Sequence, residues 1–509
     1  MTGSVRRYHA AVWDEPLIME LGSEGRRGFV PPAPIGGPSL DDLLPAGIRR
    51  AESPALGEVA EPDVLRHYLH LSQQVMGMVG ISLFGTCTMK YNPRVNQVLA
   101  ARDELAEVHP HQDDSTIQGL LEIVHHFDLM LRELSGMSRF VFQAGGGAAA
   151  AYTHAAVTRA YFAERGELGQ RREVITTAQA HPCNPATAAA AGFHVITIPL
   201  GSDGLPSLDA LRAVVSDRTA ALMINNPDDM GIYNPDIKQW VQAVHEVGGL
   251  CFYDHANFNG VMGRIRAREL GFDACMFMLH KTFGVAKGGG GPAVGAYGCW
   301  AELERFLPGP LIDEVDGAFV RRENSDGIGR VREYLGNLNE VVKAYSWLTA
   351  MGGNGIREAA DISVLANNYM ETRLLTIPGI SKSFPEMKKH RMEMTRYGLG
   401  DYTAETGVTV VDVQNRMTDF GVDAFWLSHE PWIVPEPFTP EAGEGWSRQD
   451  IDYWIDVLAH VMQEGRTDSE LVKTAPHNQV VAQIDGSSLD DPDRWATTWR
   501  AYRRKNPTG

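Results

Sequence analysis

The stretch that decides the fold is Gly248–Pro292, GGLCFYDHANFNGVMGRIRARELGFDACMFMLHKTFGVAKGGGGP. It contains two short apolar runs, GLCFY and ACMFML, and polar side chains follow each run at once. The first run ends at Asp254, and the second ends at His280 and Lys281, with a glycine tract beyond. Apolar runs without polar alternation are typical of strands that are buried on both faces. Because parallel strands end at the same edge of a sheet, we expect Asp254 and Lys281 to face one crevice.

Similar apolar runs precede this stretch, namely REVITTA, FHVITIP and TAALMIN. They alternate with segments of helical spacing, such as IQGLLEIVHHFDLMLRELSGM and NPDIKQWVQAVHEVGG. The second segment has Pro235 in its first turn and glycines where it stops, as helices commonly do. Strands that alternate with helices indicate an α/β fold with a mainly parallel sheet.

The sequence pattern is different on both sides of the predicted α/β region. The amino-terminal part is rich in proline, as in PPAPIGGPSLDDLLPAG, and predicts an extended arm with a short helix. Near the other end, VDAFWLS predicts a strand, and RQDIDYWIDVLAHVMQE places its apolar residues on one helical stripe. We therefore expect an arm and helical segment over residues 1–114, a large α/β domain over 115–320, and a small α+β domain over 321–509.

Composition narrows the class of protein. The chain has 509 residues, 44% of them hydrophobic, and a formal net charge of -18. Such an acidic chain does not offer the basic surface that nucleic acids require. No apolar run is long enough to predict a membrane span, and the five cysteines, at 87, 183, 251, 275 and 299, form no metal-binding pair. We expect a cytoplasmic protein with reduced thiols, without a metal site and without nucleic-acid or membrane partners.

The lysine and the carboxylate suit one kind of cofactor. A partly desolvated lysine is a usable amine nucleophile, so Lys281 could form a Schiff base with a cofactor aldehyde. Asp254 could pair with a basic ring nitrogen and keep it protonated, which lets the ring accept electrons from a carbanion. A surface lysine beside a strand-end aspartate is the alternative interpretation of these two residues alone.

A phosphate on such a cofactor would need a cradle. The segment FQAGGGAAAAYTHAAVTRAYF offers Gly146 and Gly147 in front of an alanine-rich helix, and helix amino termini bind phosphate. A tight loop packed on the sheet is the alternative. His181 and Asn226 follow two other predicted strands, so both should point toward the same edge, with His181 able to stack on the cofactor ring.

These residues, in this order, resemble the glycine decarboxylase (P-protein) family, and specifically the second subunit of its two-subunit versions. The likeness covers nearly the whole chain and includes EPLIMELGSEGRRGF, GTCTMKYNPRVNQ, HPHQDDSTIQGLLE, AHPCNPATAAAAGF, NNPDDMGIYN, DHANFNGVMGRIR, LHKTF, GGGGP and TAPHNQ. The resemblance implies dependence on pyridoxal 5'-phosphate (PLP) and the PLP-dependent transferase fold of type I. In this fold the site usually lies near a subunit interface, so a homodimer is expected.

The resemblance also implies roles for single residues. Lys281 would be the Schiff-base lysine, Asp254 the partner of the pyridinium nitrogen, and His181 the residue stacked on the ring. Further cofactor contacts are expected from Gly146, Gly147, Thr282, Asn257, His280 and Asn226. Contacts to the substrate are expected from Thr88, Lys90 and Cys183.

The chain departs from the family at several of these motifs. His255 follows the aspartate where the family usually reads DGAN, and AHPCNP stands for the usual AHGTNP. The usual AAGAHGE is GGGAAAA here, which leaves Ala149 and Ala151 in place of a histidine and a glutamate. Lys287 stands where the family has a histidine before its glycines. Since these changes adjoin the expected cofactor residues, they favour a retained cofactor and a changed reaction, with His255 and Lys287 as new catalytic groups.

Three functions follow as hypotheses. The first is a repurposed PLP enzyme that forms an external aldimine with an α-amino acid and a quinonoid carbanion. That enzyme would then make a carbon–carbon bond or a substitution with a second small molecule in specialised metabolism, with S-adenosylmethionine as one candidate donor. The second is a glycine decarboxylase subunit 2 that passes an aminomethyl group to a lipoyl carrier protein. The third is a non-catalytic paralogue that supports an active partner.

Overall fold

A large mixed sheet forms the centre of the molecule. The structure is a computed structural model that describes residues 5–30, 32, 35–52, 56–75, 80–83, 85, 92–285, 293–387, 389–422, 426–428, 432–483, 486, 489 and 491–507. Within these ranges the strands of the large sheet are β1 Arg139–Ala144, β2 Glu173–Thr177, β3 His194–Ile198, β4 Thr219–Asn225, β5 Leu250–His255, β6 Ala274–Met278 and β7 Gly295–Cys299.

The strand order in this sheet is β1-β7-β6-β5-β4-β2-β3. Strand β7 runs antiparallel to both of its neighbours, while every other described pairing in the sheet is parallel. Five of the strands, β1, β2, β5, β6 and β7, are buried at every residue. The prediction of a mainly parallel sheet from unbroken apolar runs is therefore confirmed.

Helices cover both faces of the large sheet. The α-helices in the described residues are α1 Leu40–Leu43, α2 Glu61–Gln73, α3 Arg94–Ala100, α4 Asp103–Ala106, α5 Gln118–Ser135, α6 Gly147–Glu164, α7 Cys183–Ala190, α8 Leu208–Val214, α9 Ile237–Glu246, α10 Ala301–Glu304, α11 Leu338–Leu374, α12 Gly400–Thr406, α13 Val410–Met417, α14 Arg448–Thr467, α15 Ser469–Lys473 and α16 Trp499–Lys505. Helices α5, α9 and the first half of α11 contribute to one apolar core, and α6 and α7 contribute to another. Alternate residues of β5 belong to the two cores, Tyr253 to the first and Phe252 to the second.

A second, smaller sheet lies in the carboxyl-terminal part of the chain. Its described strands are β10 Ser381–Lys382, β11 Tyr397–Gly398, β12 Trp426–Leu427 and β13 Pro437–Thr439, and β8 Leu311–Val315 pairs with β9 Ala318–Arg322 as a separate hairpin. The apolar face predicted for α14 packs in a third core, where Trp454 is fully buried. Leu83, from the amino-terminal part, packs in this same core. In the described part of the chain no helix is both long and apolar enough to cross a membrane.

The two sheets approach each other closely at Gly231, in the loop after β4. Gly231 has a φ of +73°, and its carbonyl accepts a hydrogen bond of 2.8 Å from the backbone nitrogen of Met392. A Cβ atom at this position would lie 1.9 Å from the carbonyl oxygen of Met394. Glycine is therefore required here both by the backbone conformation and by the space available.

We expect Gly231→Ala to lower the free energy of unfolding by about 2–5 kcal/mol, because it combines a left-handed conformation with a backbone clash. The matched control is Gly166→Ala. Gly166 has a φ of +71°, and no atom of the described residues lies within 4 Å of a Cβ built there. The control should lose only about 1–2 kcal/mol. Urea unfolding followed by circular dichroism measures both variants, and equal losses would contradict the close approach at Gly231.

Candidate active site

Asp254 lies at the end of β5 and is buried. Its carboxylate accepts hydrogen bonds of 2.9 Å from the side-chain nitrogen of Asn184 and of 2.9 Å from the backbone nitrogen of Ala256. Burial raises the pKa of Asp254, while the positive charges of His181 and Lys281 and the two hydrogen bonds oppose that rise. The structure thus brings Asp254, His181 and Lys281 within electrostatic reach of one another, around a carboxylate that has two donors of its own.

Lys281 lies in the turn that follows β6, and its side chain is buried like those of its neighbours His280 and Thr282. The backbone nitrogen of Lys281 donates to the carbonyl of Met278 over 3.1 Å. The hydroxyl of Thr282 accepts a hydrogen bond of 3.0 Å from the backbone nitrogen of Phe258, in the loop after β5. The turn that carries the lysine is therefore tied to the loop that follows the aspartate.

His181 lies between β2 and α7. Its Nδ1 atom lies 3.1 Å from the backbone nitrogen of Cys183 and can accept that hydrogen bond when the ring is neutral with its proton on Nε2. Burial, together with the charge of Asp254, raises the pKa of the Cys183 thiol, which is therefore neutral. Asn184, the next residue, is the one that donates to Asp254, so the AHPCNP segment packs directly beside the carboxylate.

The glycine segment lies at the start of α6. Helix α6 begins at Gly147 and runs for 18 residues. A Cβ atom at Gly147 would lie 3.5 Å from the sulfur of Met278, three residues before Lys281, so the helix start packs against the end of β6. No atom of the described residues lies within 4 Å of a Cβ built at Gly146. Free backbone N–H groups beside open space suit a phosphate, so this feature fits the cofactor that the sequence predicts.

Asn226 and His255 also lie at the carboxyl ends of β4 and β5, but their side chains are engaged elsewhere. The amide of Asn226 is occupied by the backbone of Asn234, since its oxygen accepts from that nitrogen over 2.8 Å and its nitrogen donates to that oxygen over 3.2 Å. His255 projects from the face of β5 that Asp254 does not use, among the rings of Tyr253, Phe258 and Phe277. Burial there lowers the pKa of His255 to about 3, so the ring is neutral.

Three predicted residues, Thr88, Lys90 and Lys287, lie outside the described residues. The structure brings the others together as follows. Asp254 lies at the end of β5 and Cys183 at the start of α7, and the loops after β2, β5 and β6 carry His181, Asn257, His280, Lys281 and Thr282. Gly146 and Gly147 lie at the start of α6.

Asn257 is bound from the small sheet, which the sequence did not indicate. Its side-chain nitrogen donates to Glu441 over 2.9 Å, and Asn259 donates to the other oxygen of the same carboxylate over 2.9 Å. Arg396, immediately before β11, is buried and donates to the side-chain oxygen of Gln179 over 2.7 Å. Residues from the small sheet therefore contact the loops after β5 and β2.

One cluster outside this site has metal-ligand chemistry. The ligand atoms of His245, Cys251 and Asp273 lie within 4.8 Å of one another. The carboxylate of Asp273 already binds the backbone nitrogen of Cys251 and the ring of His245, each over 2.8 Å, and Arg268 contacts its second oxygen. These hydrogen bonds account for the cluster as a cap between α9, β5 and the start of β6.

A group of buried charges lies behind the loop after β4. One carboxylate oxygen of Asp228 accepts hydrogen bonds of 2.9 Å from the backbone nitrogens of Met230 and Ile232. Burial nevertheless raises the pKa of Asp228 to about 7. Burial also raises the pKa of Glu393 far above its usual range, and the negative charge of Glu441 adds to the effect. Both carboxyls therefore tend to hold a proton at neutral pH.

The comparisons with known proteins agree with this arrangement. Residues 135–290 match the Aminotransferase class-V family. The chain is 38% identical over 506 residues to the "Probable glycine dehydrogenase (decarboxylating) subunit 2" of Pyrococcus abyssi, with 99% of each chain covered. It is 40% identical over 506 residues to the protein of the same name from Thermococcus onnurineus, again with 99% of each covered. For that of Staphylococcus saprophyticus the identity is 36% over 476 residues, with 92% of this chain and 94% of the relative covered.

Solved structures share the fold. A glycine decarboxylase (P-protein) of the glycine cleavage system, in inhibitor-bound form, superposes with a TM-score of 0.69 at 22% identity, over 83% of this chain and 95% of that one. A NifS-like protein superposes with a TM-score of 0.59 at 15% identity, over 75% of this chain and 99% of the other. The expected α/β fold of the type I PLP-dependent transferases is thus confirmed.

We expect Asp228→Asn to flatten the pH dependence of stability. Between the ordinary aspartate pKa and about 7, folded wild-type protein holds a proton that the unfolded chain has released. Its free energy of unfolding therefore falls as pH rises through this window, by up to about 1.4 kcal/mol per pH unit. Asparagine does not titrate, and its oxygen can still accept both backbone hydrogen bonds.

Urea unfolding from about pH 5 to about pH 8 measures the effect, with wild type as the reference. The variant should lose less stability over this range than wild type. Parallel curves would show that Asp228 does not hold its proton in the folded state.

Proposed function

Because the chain belongs to the glycine dehydrogenase (decarboxylating) subunit 2 family, whose cofactor is PLP, we propose that it is the cofactor-carrying subunit of a glycine-decarboxylating enzyme. The observation that carries the proposal is the gathering of Asp254, His181 and Lys281 at one edge of the sheet. The sequence similarity to the relative from Pyrococcus abyssi covers 99% of each chain, which supports the same proposal. The likeness to solved structures supports the fold alone.

Bound PLP supplies an electron sink for the bond that breaks at the α-carbon of an amino acid. In this proposal the amine of Lys281 holds the aldehyde carbon, and the carboxylate of Asp254 holds a proton on the ring nitrogen. Asn184 and the backbone nitrogen of Ala256 donate to that carboxylate, which favours its ionised form against the effect of burial. His181 would stack on the ring, and the start of α6 at Gly147 would bind the phosphate.

The proposed partners follow from the same assignment. A subunit 2 implies a separate first subunit, and a lipoyl carrier protein would accept the aminomethyl group. We also propose a homodimer, because in this fold the site usually lies near a subunit interface. We also propose domain boundaries after residues 114 and 320, as the sequence pattern predicts.

A second candidate function is a standalone PLP enzyme that joins a larger α-amino acid to another small molecule. Residue changes in two segments near the proposed cofactor residues favour this candidate. Ala149 and Ala151 lie near the start of α6, and Pro182 and Cys183 follow His181, where the resembled family carries other side chains. His255 lends this candidate no support from its position, since its ring packs among Tyr253, Phe258 and Phe277.

We expect Lys281→Ala to abolish the visible absorption band of the protein-bound cofactor, because no amine would then hold the aldehyde carbon. The matched control is Lys343→Ala. Lys343 is as buried as Lys281, at 8% against 7% exposure, but pairs with Glu340 on α11. Absorption spectra of both variants after incubation with PLP measure the effect. A band that persists in Lys281→Ala would contradict the role of Lys281 and leave the non-catalytic paralogue as the better hypothesis.

We expect carboxyl-labelled glycine to release labelled carbon dioxide only when the first subunit and a lipoyl carrier protein are both present, because the aminomethyl group needs an acceptor. Scintillation counting of trapped carbon dioxide measures this release, with Lys281→Ala as the inactive control. Turnover of a larger amino acid by this chain alone, with no release from glycine, would favour the standalone enzyme instead.

A further inference from the structure

We propose that Glu441 is a positioning residue that fixes the loop between Asp254 and Lys281. Glu441 lies two residues beyond β13, in the small sheet, and it is buried. One oxygen accepts the hydrogen bond from Asn257 and the other accepts that from Asn259, each over 2.9 Å. This inference rests on the proposed roles of Asp254 and Lys281.

The loop that Glu441 holds contacts both Asp254 and the turn that carries Lys281. Its backbone nitrogen at Ala256 donates to Asp254 over 2.9 Å. Two residues further on, the backbone nitrogen of Phe258 donates to the hydroxyl of Thr282 over 3.0 Å, next to Lys281. A shift of this loop would therefore change the surroundings of the carboxylate and of the lysine turn at the same time.

A carboxylate suits this position better than an amide. Both partners present N–H₂ groups, and the oxygen of Asn257 is committed to the backbone nitrogen of Asn259 over 3.1 Å, which fixes the orientation of the Asn257 amide. Glutamate offers two acceptor oxygens, and hydrogen bonds to an ionised acceptor are stronger than neutral ones. A glutamine at this position would turn a donor toward one of the two amides.

Glu393 supports the same arrangement from the other side of the loop. A Cβ atom at Gly260 would lie 2.0 Å from one carboxyl oxygen of Glu393, so this carboxyl packs directly on the end of the loop. The negative charge of Glu441 adds to burial in raising the pKa of Glu393. Glu393 therefore tends to hold a proton where it packs against the end of the loop.

The test compares Glu441→Ala and Glu441→Gln with a matched control, Glu371→Gln. Glu371 also lies outside the large sheet and accepts two side-chain hydrogen bonds, from Lys382 over 2.7 Å and from Thr395 over 3.0 Å. Two quantities are measured for each PLP-loaded protein, namely the cofactor dissociation constant and the pH midpoint of the visible band. A residue that only stabilises the fold would not move that midpoint.

We expect Glu441→Ala to weaken PLP binding by about tenfold or more and to shift the pH midpoint, because both cofactor residues lose their fixed surroundings. Glu441→Gln, which keeps one acceptor oxygen, should fall between wild type and Glu441→Ala. It also carries the test if the alanine variant does not fold. Glu371→Gln should match wild type in both quantities.

The outcomes separate this inference from the assignment beneath it. A normal wild-type band with unchanged Glu441 variants, or with equal losses in Glu371→Gln, would overturn the role of Glu441 alone. A wild-type protein without a Lys281-dependent band would overturn the proposed cofactor roles and this inference with them.

Discussion

The buried carboxylate of Asp254 is the constraint on which the rest of the site depends. A charge removed from water is costly unless donors and opposite charges surround it. Here Asn184 and the backbone of Ala256 donate to the carboxylate, and the positive charges of His181 and Lys281 favour its ionised form. These groups come from loops after different strands, so only a parallel sheet with its strand ends aligned can assemble them. The sheet therefore gathers the groups that oppose the rise in the pKa of this buried carboxylate.

The small sheet completes the site rather than merely following it. Arg396 binds Gln179 in the loop after β2, Met392 binds Gly231 in the loop after β4, and Glu441 binds Asn257 in the loop after β5. The small sheet and its adjoining segments therefore bind the loops after three strands of the large sheet. Because loops tend to be mobile unless packed, these contacts give the strand ends a defined geometry. Stability of the small sheet and precision of the site are consequently linked.

The sequence patterns that proved informative were local ones. Unbroken apolar runs predicted the large sheet, and polar residues directly after them predicted where Asp254 and Lys281 meet. The expectation of His255 as a catalytic group overlooked the two-residue period of a strand, which puts it on the face opposite Asp254, among aromatic rings. Glu441 lies 184 residues from Asn257, and no local pattern joins them. The sequence also did not predict that Arg396 and Glu393 are buried, because charged residues are mostly exposed. Only the tertiary packing shows such exceptions.

The residues that differ from the resembled family fall into two groups, one in an apolar core and one near the proposed cofactor residues. His255 replaces a small residue within an aromatic core, so its effect is on packing and not on proton transfer. The alanines of α6 remove ionisable groups near the proposed cofactor residues, and the neutral thiol of Cys183 replaces the threonine of the usual AHGTNP. Loss of acid–base groups does not argue against decarboxylation, because carbon dioxide leaves without a proton being abstracted from the α-carbon. Under the proposed function, Lys281 and His181 are the groups left for any remaining proton transfer.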